Sequence, residues 1–121
     1  MAKLFVSSQN PQNTELRSSV NNIIQASGAI APSTPAQYLI AKAGVAAMTL
    51  AAPVVGTDDG KEIEVYSQTA NAHTVTATGL FQTGAATVNL ATFAAFAGAG
   101  FRVRAFQGKW MLVYQNAITF T

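Results

Sequence analysis

No cysteine occurs in this chain of 121 residues, so neither a disulfide nor a thiolate metal site can be built from it. Histidine is nearly as scarce. His73 is the only one, and any Ser-His-Asp or Cys-His machinery would have to use it. Its surroundings, Asn71-Ala72-His73-Thr74-Val75, hold no nucleophile elbow, and a lone histidine at the start of a strand reads as a hydrogen-bonded structural residue. Charge is thin as well: charged residues make up 10% of the chain and the net charge is +2, against about 25% charged in an average soluble protein. Lys3, Arg17, Lys42, Lys61, Arg102, Arg104 and Lys109 are spread along the sequence. Without a basic run, a nucleic-acid partner is not expected. Long apolar runs are missing too. Ala41 to Val55 is broken by Lys42, Thr49 and Pro53 and is shorter than the ~20 residues of a membrane span. The start, MAKLFVSSQNPQ, lacks a signal-peptide core.

What is present is alanine, threonine and β-pattern. Half the residues are apolar, and the length suits one domain with a real core. A chain so poor in ions either solvates its outside with Thr, Ser, Asn and Gln or covers it with other proteins.

Residues 1–35 differ from the rest, with Asn, Gln and Ser prominent and Pro11, Pro32 and Pro35 as breakers. Leu16, Val20, Ile23 and Ile24 recur at helical spacing, which predicts a short amphipathic helix over 14–26, capped by Asn13 or Thr14 and closed by Gly28. That helix either packs on its own domain or, through Leu16, Val20 and Ile23, joins a small bundle of helices from several chains. Residues 36–121 read as a β-structured body. Strands are predicted at 37–43, 46–50, 61–67, 73–78, 88–93, 101–106 and 109–115, with a short one over 118–121. Asp58-Asp59-Gly60 is a turn signal, and Gln107-Gly108 joins the best hairpin in the chain. The last long strand is apolar on both faces, the pattern of a sandwich, a barrel or a subunit contact. The expected fold is therefore all-β, a small sandwich or barrel of about seven short strands, with an extended N-terminal arm that holds one short helix.

Chemistry-bearing clusters are few. Asp58, Asp59, Glu62 and Glu64 are the densest acidic group, but their spacing is not that of an EF-hand, and a turn followed by a solvated strand face explains them. Arg102 and Arg104 alternate on one strand as Glu62 and Glu64 do on another. These four side chains either pair across neighbouring strands, meet across a subunit boundary, or form two independent solvated faces. Gly98-Ala99-Gly100 lacks the third glycine of a nucleotide loop; its small residues let backbones approach, inside one domain or around an oligomer axis. No catalytic constellation, cofactor site or metal site is expected.

Four segments carry a resemblance: AGVAAMTLAAP at 43–53, GTDDGKEIEV at 56–65, AHTVTATGLF at 72–81 and ATFAAFAGAGFRVRAFQGKWMLV at 91–113. Together they resemble a group of small tailed-bacteriophage virion proteins: head decoration proteins, head fibres and tail-associated proteins. The resemblance implies a non-enzymatic structural protein on the outer surface of the virion head. It implies the major capsid protein as partner and a homo-oligomer, with a trimer favoured. Under that reading residues 1–35 are the capsid-attachment arm, and Leu16, Val20, Ile23, Arg102, Arg104, Glu62 and Glu64 are the candidate interface residues. Two rivals stand beside it. One is a fibre module binding host glycan or protein through Tyr38, Tyr66 or Trp110; the other is a small polysaccharide hydrolase or lyase.

Overall fold

A computed structural model describes residues 22–31, 36–84 and 86–121. Ten strands form among them and no helix: β1 (Asn22–Ile24), β2 (Gly28–Ile30), β3 (Ala36–Ile40), β4 (Ala47–Leu50), β5 (Glu62–Ser67), β6 (Thr74–Gln82), β7 (Thr87–Phe93), β8 (Gly100–Phe106), β9 (Lys109–Asn116) and β10 (Ile118–Phe120). The described residues are all-β, as their alternation of apolar and polar side chains requires. The strand count exceeds the seven expected. The surplus includes β1 and β2, three residues each, in a segment whose Asn, Ser and Gly content gives little strand signal.

The helix expected over 14–26 is corrected where the structure describes it: Asn22–Ile24 is a strand, and Ser27 lies in a bend before β2. The spacing of Ile23 and Ile24 to the apolar residues before them was misleading, because a strand edge supplies backbone partners that local periodicity cannot reveal. Leu16, Val20 and the rest of the predicted helix lie outside the described residues.

The strands make one curled mixed sheet, an open half-barrel, in the order β10-β7-β6-β9-β8-β5-β3-β1, with β4 branching from β6 and β2 from β4. Its first half is built as stacked coils. Strands β1, β3 and β5 run parallel in one ladder, with Ile24 beside Ile40 and Ile40 beside Ser67. Strands β2, β4 and β6 run parallel in another, with Gly28 beside Met48 and Met48 beside Val75. Each successive pair is thus one turn of chain laid on the last. No crossover helix is needed, because the strand of the opposite wall makes the return. The second half is antiparallel. Strand β8 pairs β5 on one side and β9 on the other, β7 pairs β6, and β10 pairs β7. A two-residue parallel contact, Trp110 with Phe81 and Met111 with Gln82, joins the walls.

The core lies between them as one cluster. Alternation delivers it: Ile63 and Val65 from β5, Val75 and Ala77 from β6, and Phe101, Val103 and Ala105 from β8 are all buried. Phe81, Phe93, Phe101 and Phe120 meet edge to face, with centroids 5.2–6.0 Å apart, the arrangement their quadrupoles favour. Trp110 is fully buried, and its Nε1 donates to the Ala51 carbonyl at 3.0 Å. At Gly100 a Cβ would sit 2.5 Å from the Tyr66 Cβ and 2.7 Å from the Val65 carbonyl oxygen, so only glycine fits there. The close approach anticipated for Gly98-Ala99-Gly100 is thus found inside the chain.

Candidate functional site

The outward side chains of the two walls differ in kind. On the wall containing β3, β5, β8 and β9, one row across the strands reads Gln37, Glu64, Arg102, Tyr114. A neighbouring pair is Glu62 with Arg104. On the opposite wall the rows read Ala47, Thr74, Thr92, Thr119 and Ala29, Thr49, Thr76, Leu90. Neither of these rows carries a charge. Threonine serves this position well: its β-branch suits the pleat and its hydroxyl is solvated without ionisation.

The four charged candidates come together as neighbours on adjacent strands, Arg102 opposite Glu64 and Arg104 opposite Glu62. Side-chain geometry then shifts the pairing. Arg104 binds the Glu62 carboxylate through Nε, at 2.8 Å, and through its terminal Nη2. Arg102 reaches the same carboxylate only at 3.8 Å, and its Nε is buried without an acceptor. Glu64 accepts instead from the Gln37 amide at 2.8 Å. Among the alternatives left open by the sequence, pairing across neighbouring strands of one chain is therefore what the described residues show. Ile23, on the edge strand β1, is 51% exposed.

A second surface was not singled out from the sequence. The hairpin of β8 and β9 turns at Gln107 (φ 48°) and Gly108 (φ 81°), a pair of left-handed residues that matches strand twist. The Gln107 amide donates to Asp59 Oδ1 at 2.9 Å, which holds the hairpin tip against the loop before β5. Val54, Val55 and Phe106, at 56%, 65% and 49% exposure, lie in these two adjoining segments. Val113 and Tyr114 are also exposed. Val113 is extra in its ladder, since Val103 pairs Leu112 while Arg102 pairs Tyr114. A bulge of this kind turns side chains out of alternation. It explains why a strand that reads as apolar on both faces leaves its second half uncovered. The nearest sequence signal was the Val54-Val55 pair between Pro53 and Gly56.

Two further titratable groups, Asp58 and His73, are buried and hydrogen-bonded. Asp58 is fully buried; it accepts the Val54 amide at 2.7 Å and the Lys61 ammonium at 3.1 Å. The amide bond from Val54, with help from Lys61, holds its carboxyl below the usual carboxylate range. His73 is fully buried between two loops, and burial holds its imidazole below the ordinary value. Among the described residues no group of three or more His, Asp or Glu is placed to hold a metal ion, and no helix is long and apolar enough to cross a membrane. No protein-family model matches the chain, and no curated protein matches it.

Proposed function

We propose that this chain is a structural virion protein that decorates a bacteriophage head, binding the outer surface of the major capsid protein as a homo-oligomer, with a trimer favoured. It is made in the host cytoplasm and ends on the particle, and it performs no catalysis. The observation that carries the reading is the surface. In a chain with only 10% charged residues, Val54, Val55, Phe106, Val113 and Tyr114 stand 43–65% exposed. Singly exposed apolar residues are ordinary; what supports a contact face is that these stand on so ion-poor a surface. Each square ångström of it covered contributes ~25 cal/mol, and a lattice repeats that gain at every site. The four segments that resemble phage virion proteins point the same way. In this reading residues 1–35, whose described part adds β1 and β2 to the sheet, form the attachment arm, and residues 36–121 are the body that meets neighbouring copies.

The test is co-sedimentation of the purified chain with capsids that lack it. The full chain binds and raises the temperature at which capsids release their genome, whereas a chain without residues 2–21 loses most of that binding. Failure of the full chain to bind any capsid ends the proposal; undiminished binding by the truncated chain removes only the arm. A fibre module that binds host glycan is the second reading. It is favoured by Tyr66 and Tyr114 lying outward on the wall that carries Arg102, since aromatic faces stack on sugar rings. Retention on a glycan array without capsid binding would move the assignment there.

A further inference from the structure

Stacked parallel strands carry no turn that fixes their register, so their corners need other restraints. Here side chains supply them. Ser27 Oγ accepts the Ala47 amide at 2.9 Å and so ties the first corner to the second coil. Asn71 Nδ2 donates to the Ala43 carbonyl at 3.4 Å and ties the second corner to the third. The third of these ties is His73. Its Nδ1 accepts the Ala46 amide at 3.0 Å. Its Nε2 lies 3.0 Å from the Thr69 hydroxyl and 3.2 Å from the Thr69 carbonyl. Because Nδ1 accepts from an amide, the hydrogen of the neutral ring sits on Nε2, which donates to Thr69. The ring is wholly buried and meets Phe93 edge to face at 6.0 Å.

We propose that His73 is a proton-operated latch between the second and third coils. A proton arriving at Nδ1 places one donor against another, the Nδ1 hydrogen against the Ala46 N–H, where the ring is wholly buried. The latch then opens, and the corner from Ala41 to Ala46 lifts from the turn that precedes β6. The charged group that faces the ring from the β3–β4 connection is the Lys42 ammonium, which opposes protonation while the corner is closed. From the other side the β5–β6 connection offers Thr69, and β7 offers the ring of Phe93, neither of them charged. Of the three corner ties, Ser27 and Asn71 do not titrate, so acid acts on the His73 tie alone. The site also explains why the single histidine of the chain stands at this corner.

Amide hydrogen exchange on the wild-type protein tests the latch. An open corner releases the ring to its ordinary value of about 6.5, while the closed corner holds it lower. The opening constant seen at the Ala46 amide, corrected for intrinsic exchange, therefore rises about tenfold per pH unit below about pH 6.5. The Val65 and Val103 amides, in the antiparallel β5–β8 ladder, exchange only on global unfolding and stay more strongly protected than Ala46 over the same range. In His73→Gln, or in any folded variant without a titrating group at position 73, the Ala46 slope vanishes. Flat Ala46 protection between about pH 8 and pH 5 in the wild type overturns the proposal, as does Ala46 protection equal to that of Val65 and Val103 at every pH, which would be global unfolding alone. Direct observation of the imidazole by NMR decides the case without a variant: a ring that titrates at its ordinary value while Ala46 stays protected also overturns it.

Discussion

The stacked coils of β1–β6 and the antiparallel hairpin of β8 and β9 solve the same problem in opposite ways. In the hairpin, Gln107 and Gly108 adopt φ of 48° and 81°, and that turn fixes every pair from Phe106–Lys109 outward until the bulge at Val113. Its register is written in two adjacent residues. In the coils no adjacent residues decide which rung lies on which. The offset from Ile24 to Ile40 is 16 residues, and from Ile40 to Ser67 it is 27. Register there rests on inward apolar side chains and on corner ties at Ser27, Asn71 and His73. The hairpin is consequently specified before the rest of the chain folds, while the coils need their neighbours. Long-range parallel pairing of this kind also costs loop-closure entropy before any contact rewards it.

The residue that belongs to both regions should be the most sensitive. Trp110 lies on β9, pairs Phe81 of β6, and donates to Ala51 in the loop after β4. Trp110→Ala removes the largest buried side chain and leaves that carbonyl without its partner. A loss of about 3–5 kcal/mol is expected, read by chemical denaturation. If the coils unfold in a separate, earlier transition with the hairpin ladder intact, the two regions are less coupled than the shared core implies.

His73→Ala attacks the coils at their corner. It strands the Ala46 amide in the interior and opens a cavity beside Phe93, for an expected loss of about 2–4 kcal/mol at neutral pH. The pH dependence has a definite sign. The folded-state value is depressed, so the unfolded chain binds the proton more readily. The stability contributed by the neutral ring is full above about 6.5 and is lost as pH falls from there toward the folded-state value. Asp58, also depressed, acts in a lower window: its contribution is full above about 3.9 and is lost as pH falls below that. A wild-type chain whose stability is constant from about pH 7 to about pH 5 would contradict the assignment for His73.

The same contrast explains what could be read from the residues. The hairpin, the Asp58-Asp59-Gly60 turn and the clean alternation of β5 and β6 are local signals, and each strand appears where expected to within a few residues. The charged candidates were also legible as a set, because Glu62/Glu64 and Arg102/Arg104 alternate and face outward. What no local pattern could show is that β5 and β8 are neighbours, that β1 through β6 stack in parallel, or that three residues at Asn22–Ile24 form a strand. Unequal coil offsets leave no repeat to detect, and β1 exists only because β3 offers it an edge. The corner role of His73 was hidden for the same reason, since Ala46 is 27 residues away in sequence.

A smaller effect tests the turn itself. Gly108 has φ 81°, and an added Cβ would lie 3.3 Å from Val55 Cγ2. Gly108→Ala should cost about 1–2 kcal/mol, the ordinary penalty for a side chain in the left-handed region. Gln107→Asn, which accepts that region more readily, should recover a few tenths of a kcal/mol. Both changes are expected to act on the folding rate, since a hairpin that sets its own register forms early. If Gly108→Ala changed only the unfolding rate, the claim that the hairpin precedes the coils would fail.

The smallest expected effect concerns the charged wall. Arg104 is 55% exposed and Glu62 31%, so solvent screens most of their attraction despite two donors on one carboxylate. A double-mutant cycle with Arg104→Ala and Glu62→Ala should return a coupling of about 0.2–1 kcal/mol that shrinks with added salt. Arg102→Ala removes a guanidinium that holds Glu62 only at 3.8 Å and leaves its Nε unsatisfied, so it should be near neutral. These charges set β5 against β8 where neither turn nor corner tie reaches them. Reversing both signs together, Glu62→Arg with Arg104→Glu, should therefore preserve the fold. If the double reversal instead abolished capsid binding while the isolated chain kept its stability, the wall would be working as an intermolecular surface, and its internal pairing would be the lesser part of its role.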